Sequence, residues 1–468
     1  MRSGLIRRLH RRWSRARAGV LALPLFCGCG GAPPPIPPPP SNAALRGSPR
    51  FHESPDADGK QRRPRERTPT AAERAIVRDL MTRAERLRRL RFREPVPVVV
   101  QNQDAVIAYI EEELNSSTFE RAKTIYMALG MVSAELNVER ELTETLAEQV
   151  VGYYDARRRQ LVVRDDVFAG LLSAQRSREA NGAREVLLHE LIHALQDQHL
   201  GLQPLLNMAA HSDRLNAYRA LVEGDATLAT AGFSAQMQGK DLRTLVTDPA
   251  GLRGLSAAIR KAAVASPRLS KAPAILREPL LFAYCDGLQY VAHLWAAHNS
   301  FAGINAAHRA PPLTTEQILH PLRPARLSEA LDLKPNPALL AAHYELIAED
   351  TLGELELGIF LQQANANDAA RSAADGWDGD RVQVYRHRSG TTAALWLTRW
   401  DDVVDAREMA HAAERVLRAP VEQFGSLTSG LKATQRYVVI VRGVPATLVE
   451  PSLRAALSGQ LDRPAAAN

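Results

Sequence analysis

The chain has 468 residues, enough for two or three domains, and its 45% hydrophobic and 24% charged content is that of a folded globular protein. The formal net charge of +7 comes with only 5% aromatic residues and no nucleic-acid motif, and much of the excess lies in an Arg-rich N-terminal stretch, so it gives no ground for nucleic-acid binding. Three cysteines, Cys27, Cys29 and Cys285, exclude a disulfide framework and a cysteine-built zinc site, and Cys285 is expected to be a small buried apolar residue.

Residues 1–17 carry seven arginines and no acid, residues 18–26 are a short apolar run, and Cys27-Gly28-Cys29 follows. A basic segment, a short apolar segment and small residues make a secretory signal over 1–28, too short to span a membrane. The stretch resembles a bacterial lipoprotein signal peptide, whose lipid-bearing Cys follows a small residue: Gly28 before Cys29 fits, Phe26 before Cys27 does not. That resemblance implies lipidation at Cys29 and an exported protein anchored at the envelope, on its periplasmic face or the cell surface. A polyproline run at 33–40 and the polar, Arg- and Pro-rich stretch behind it make residues 29–68 an extended, disordered tether.

Order is expected from Thr70. Residues 71–90 place Ile76, Leu80, Leu87 and Leu90 at helical spacing, 96–100 read as a strand, and 105–114 and 119–129 as helices. Residues 152–163 read as a hairpin with a polar turn at 155–160. Its strand is either structural or an edge that aligns a substrate backbone.

The densest chemistry follows, in His189-Glu190-Leu191-Ile192-His193, inside a helical pattern over 184–198 without Gly or Pro. Residues four apart share a helix face, so His189 and His193 can bind one metal ion. Glu190 is turned by about 100°, beside the metal, where it can take a proton from water. The alternative is a chance match on a core helix. A second helical pattern, 213–231, carries Glu223 on an apolar stretch, where a buried carboxylate needs compensation such as a metal. His199 is the rival third ligand. With Gln196 rather than Gly after His193 the helix does not break, and His199 lies about 9 Å further along it.

An H-E-x-x-H followed by a Glu on a second helix resembles the gluzincins, thermolysin-like zinc metallopeptidases. Gly152-Tyr153-Tyr154-Asp155, the run 193–199 and Val222-Glu223-Gly224-Asp225-Ala226 are similar to a group of prokaryotic gluzincin-like surface proteins, a likeness covering roughly 150–385. The resemblance implies one Zn²⁺ held by His189, His193 and Glu223, with Glu190 as catalytic base and a peptide or protein as substrate. It also implies a helix-rich, zincin-like α+β catalytic domain over 69–375, with an active-site helix, a Glu-bearing helix and a small antiparallel sheet. Asp225 is the candidate to orient a ligand, although Thr227 stands where the family often has Asp. His211, Tyr218, Tyr284 and His293 are the candidates to stabilise an oxyanion.

Further on, 280–297 and 350–363 read as helices, with Thr314 or Thr315 as a cap between them. Residues 376–468 read as a small C-terminal α+β unit in β-β-α-β order, from strands at 381–386, 393–399 and 437–442 and a helix at 401–417. The function expected is zinc-dependent peptide-bond hydrolysis at the bacterial envelope. Its alternatives are a zincin-fold binding or assembly scaffold with a structural metal, and an amidase acting on a cell-wall amide. Nothing in the sequence fixes the oligomeric state.

Overall fold

The computed structural model describes residues 65–114, 117–173, 178–202, 211–323 and 330–461. The expected signal, Cys29 and nearly all of the tether lie outside them. Among the described residues no helix is long and apolar enough to cross a membrane. The architecture is α+β and helix-rich, with two small sheets.

The fold begins earlier than Thr70. Strand β1 (Glu66–Arg67) pairs with β2 (Val98–Gln101), so the last residues assigned to the tether belong to a sheet. Thr70 caps α1 (Ala71–Arg88) in a capping box: its hydroxyl accepts from Glu73 N–H while the Glu73 carboxylate accepts from Thr70 N–H. Three helices, α2 (Gln103–Leu114), α3 (Ser117–Ala128) and α4 (Val138–Gln149), then separate β2 from the hairpin β3 (Gly152–Asp155) and β4 (Gln160–Arg164). That crossover brings β4 back parallel to β2, so the sheet, ordered β1-β2-β4-β3, is mixed rather than antiparallel. The hairpin turn is the expected polar one, with Asp155 Oδ1 accepting from the N–H groups of Arg157 and Arg158. Strand β3 is a sheet edge, and it lies against the next long helix.

The helical core follows: α5 (Asp165–Ser173), α6 (Arg178–Leu200), α7 (Ser212–Met237) and α8 (Ala274–His298). Leu187, Leu188, Leu191, Ile192 and Leu195 of α6 are buried against Leu221, Val222 and Leu228 of α7 and Leu281 and Leu288 of α8. Helices α7 and α8 touch backbone to backbone. A Cβ at Gly224 would fall on the carbonyl of Gly287, and one at Gly287 on the carbonyl of Ala220. We predict that Gly287→Val lowers stability by about 3 kcal/mol in urea unfolding and displaces the α7 segment around Glu223. Unchanged stability would mean that the two helices separate freely.

Two shorter helices, α9 (Ala302–Arg309) and α10 (Thr315–Leu319), lead to the second sheet, and Thr314 caps α10 as expected. That sheet is antiparallel, ordered β5-β6-β7-β9-β8, from β5 (Tyr344–Asp350), β6 (Trp377–His387), β7 (Thr392–Trp400), β8 (Thr428–Thr434) and β9 (Tyr437–Val444). It therefore starts before the expected boundary at 376. The helix expected over 350–363 is the end of β5 followed by α11 (Gly353–Leu361). The chain switches at Gly353, with φ 76°, and the fully buried Asp380 holds the switch. Asp380 accepts from the N–H groups of Leu352 and Gly353, at 3.0 and 2.9 Å, and from the indoles of Trp377 and Trp396. Helices α12 (Val403–Arg418) and α13 (Ala446–Leu461) cover the sheet, and α3 packs against β5, β6 and β7, so this unit is built into the rest of the fold.

Candidate metal centre

Helix α6 runs unbroken through the motif and buries it completely: His189, Glu190 and His193 are at most 2% exposed. The two imidazoles stand in a T-shaped pair, and donor atoms of His189, Glu190 and His193 gather within 4.8 Å. Glu223 enters from α7. Its Oε2 lies 3.0 Å from His189 Nε2 and 3.4 Å from His193 Nε2. Two donors each about 2.0–2.1 Å from a tetrahedral zinc are themselves about 3.3 Å apart, so these separations match an edge of such a site. Glu190 is also close, but its Oε2 accepts Tyr154 N–H at 2.8 Å from the edge strand β3. Its Oε1 and His193 Nε2 are buried without a hydrogen-bond partner. Buried polar atoms left unpaired at one place are what a metal and its water would satisfy.

The tautomer of His193 follows from its neighbours. Gln196 donates through Nε2 to Val222 O at 3.0 Å and to Asp225 Oδ2 at 2.9 Å, which fixes its Oε1 as the atom 2.8 Å from His193 Nδ1. An amide oxygen only accepts, so Nδ1 carries a proton and Nε2 is the nitrogen turned to the site. Asp225 is itself held by Arg88 from α1, with Nε 2.8 Å from Oδ1, and by His308 of α9, with Nε2 3.0 Å from Oδ2. Arg88 also donates to Asn305. Asp225 thus reaches His193 through Gln196. Gln196, three residues after His193 on the same face, was legible as a partner. Arg88 and His308 carried no local signal.

Electrostatics point the same way. Burial pushes the Glu190 carboxyl up to about 8, helped by Glu223 and opposed by His193 and Tyr154 N–H. Burial opposes ionisation of Glu223, but the two histidines, His193 foremost, hold it well below the usual carboxylate range. Burial lowers His189, whereas at His193 the Glu223 and Glu190 carboxylates overcome burial and raise it to about 9. The cluster is a pocket of negative field that holds a proton and would equally hold a cation.

Of the four oxyanion candidates, Tyr284 lies against the cluster, its ring stacked on His189 with centroids 5.8 Å apart. Tyr218 donates instead to Gly201 O, and His211 stands at the start of α7 beside Asp350. His293 is nine residues beyond Tyr284, about half a turn round α8. His199 lies 2.6 Å from Arg91 O, away from the cluster. Cys285 is buried and free, its thiol pushed up to about 12 by burial.

A second donor group, His320, Glu354 and Asp375, lines a cavity of about 410 Å³. It is already internally paired: His320 Nε2 lies 2.9 and 3.1 Å from the Glu354 oxygens, and Arg323 grips Asp375.

Residues 343–459 match the model of a family described as a domain of unknown function (DUF8575). The match covers the five-stranded sheet with α11 to α13 and stops short of the histidine helix. No curated protein and no solved structure matches the chain.

Proposed function

We propose that the protein is a zinc-dependent peptide hydrolase of gluzincin type, with a zincin-like arrangement of α6 and α7, exported and held at the envelope through Cys29. One observation carries this reading: two buried imidazoles and the Glu223 carboxylate meet at ligand spacing, beside a glutamate with one oxygen free. His189, His193 and Glu223 would hold the ion. When bound, zinc supplies Lewis-acid polarisation of water and of the scissile carbonyl. Glu190 does the proton work. Its free Oε1 takes a proton from the attacking water as the water oxygen bonds to the carbonyl carbon. It returns that proton to the amide nitrogen as the C–N bond breaks, leaving a carboxylate and an amine. The Tyr154 N–H on Oε2 keeps the carboxylate turned so that Oε1 faces the reacting centre. Gln196 keeps His193 from rotating or changing tautomer.

The test is metal content and casein hydrolysis of the full chain beside Glu223→Ala and His199→Ala. Wild type is expected to hold one zinc and to hydrolyse casein, with hydrolysis abolished by chelation and restored by zinc. Glu223→Ala should lose zinc affinity by more than the ~10–100-fold typical of groups that only orient a ligand, and His199→Ala should change neither readout. Zinc loss in His199→Ala alone would overturn the ligand set. Zinc without hydrolysis would favour the scaffold reading.

A further inference from the structure

The cavity of about 410 Å³ is bounded by α8, α11, the end of α10 and a short helix over Asn367–Ser372. It is separate from the histidine cluster. Tyr284 stacks on His189, and Asp286, which lines the cavity two residues further along α8, is turned from it by about 200°. Most charges around the cavity are already matched. Arg260 meets one oxygen of Glu278 at 2.7 Å and Arg277 meets the other at 3.0 Å. His320 pairs with Glu354, and Arg323 with Asp375. Two charges are left over. Asp286 is half-buried on the α8 wall, and Arg371 is exposed on the short helix. Among the described residues neither has an ion-pair partner, so they do not close on each other. They still interact across the space: burial pushes the Asp286 carboxyl up, and the Arg371 and Arg260 guanidiniums oppose it. Phe282, Leu319, Leu355 and Ile359 supply an apolar wall between them.

We propose that this cavity binds a small zwitterion, an apolar α-amino acid, whose ammonium meets Asp286, whose carboxylate meets Arg371 and whose side chain lies against the apolar wall. The volume lies in the range of small-molecule sites, about 300–1,000 Å³. A lone cation would match Asp286 and leave Arg371 unmatched, and a lone anion would do the reverse. A molecule carrying both charges satisfies both walls at once. The guanidinium suits a carboxylate in particular, because it can offer two parallel N–H bonds to its two oxygens. This site is additional to the metal centre and does not depend on peptide hydrolysis.

The test is calorimetric titration of the full chain with three probes of the same carbon skeleton. L-Leucine carries both charges, leucinamide lacks the carboxylate, and isocaproate lacks the ammonium. Leucine is expected to bind with a Kd below about 1 mM, and each of the others about tenfold or more weakly. Arg371→Gln should bring leucine and leucinamide to within about twofold of each other, and Asp286→Asn should do the same for leucine and isocaproate. A purely structural role for either side chain would not move these preferences separately. Arg371 is exposed, so Arg371→Gln decides the matter even where Asp286→Asn fails to fold. Absence of leucine binding, equal binding of the three probes, or a preference for leucine over leucinamide that survives Arg371→Gln overturns the proposal. Hydrolysis takes no part in the readout, so failure of either reading leaves the other standing.

Discussion

Glu190→Gln will keep one zinc per chain and lose peptide hydrolysis by about 10²- to 10⁴-fold, the range that a positioned general base contributes. Glutamine has the same shape, and its amide oxygen can still accept Tyr154 N–H, so β3 and α6 keep their contact. What it cannot do is take a proton through the position of Oε1, which has no other partner. The three proposed ligands are untouched, so zinc content measured by mass spectrometry should equal that of wild type. The variant also separates two ways of using the donor cluster. Donor atoms of Glu190 and the two histidines all lie within 4.8 Å of one another. If Glu190→Gln costs zinc along with activity, Glu190 is a ligand and Glu223 is not the third donor. If hydrolysis persists near the wild-type rate, the base is elsewhere and the mechanism is wrong.

The site was legible to the extent that its chemistry is local. His189, Glu190 and His193 lie on one helix, and helix periodicity alone puts the two imidazoles on one face. Glu223 was legible as an acid in an apolar run, because a buried carboxylate must be compensated. The structure places that compensation at the two Nε2 atoms. Tyr218 and His211 were named for residue type, and the structure gives their polar atoms other neighbours, Gly201 O and Asp350. Strand pairing was the least legible level of the fold. Strand β5 reads Tyr-Glu-Leu-Ile-Ala-Glu-Asp and runs into an acidic, apolar stretch that looks helical; β8 is a weakly hydrophobic edge strand. Both are strands because β6 and β9 offer them partners, and partners lie outside any local window. The parallel β2–β4 pair is of the same kind, set by a three-helix crossover.

The family-matched sheet bears on the histidine cluster through α11. Asp380 fixes the start of that helix, and Glu356 on it accepts from Asn216 at the N-terminal end of α7. The C-terminal unit therefore packs, through α11, against the helix that carries Glu223.

Asp225→Ala is expected to destabilise the protein by about 3–5 kcal/mol, the cost of leaving a buried charge without its partner. It should also weaken zinc binding by about 10–100-fold. Arg88 and Asp225 are both fully buried, and the Arg88 guanidinium, His308 and Gln196 converge on one carboxylate. Burial opposes its ionisation, and Arg88 with His308 and Gln196 holds its pKa well below the usual carboxylate range. Stability and metal binding can be separated by removing both charges. Arg88→Met with Asp225→Leu puts apolar side chains where the ion pair was, and such replacements are often neutral or stabilising. The double variant should recover much of the stability in urea unfolding under chelator. It should not recover zinc affinity, measured by competition with a chromophoric chelator, because Gln196 has still lost the acceptor that helps turn its oxygen toward His193 Nδ1. If zinc affinity returns with stability, the network only holds helices together, and the orientation of His193 is set by α6 alone.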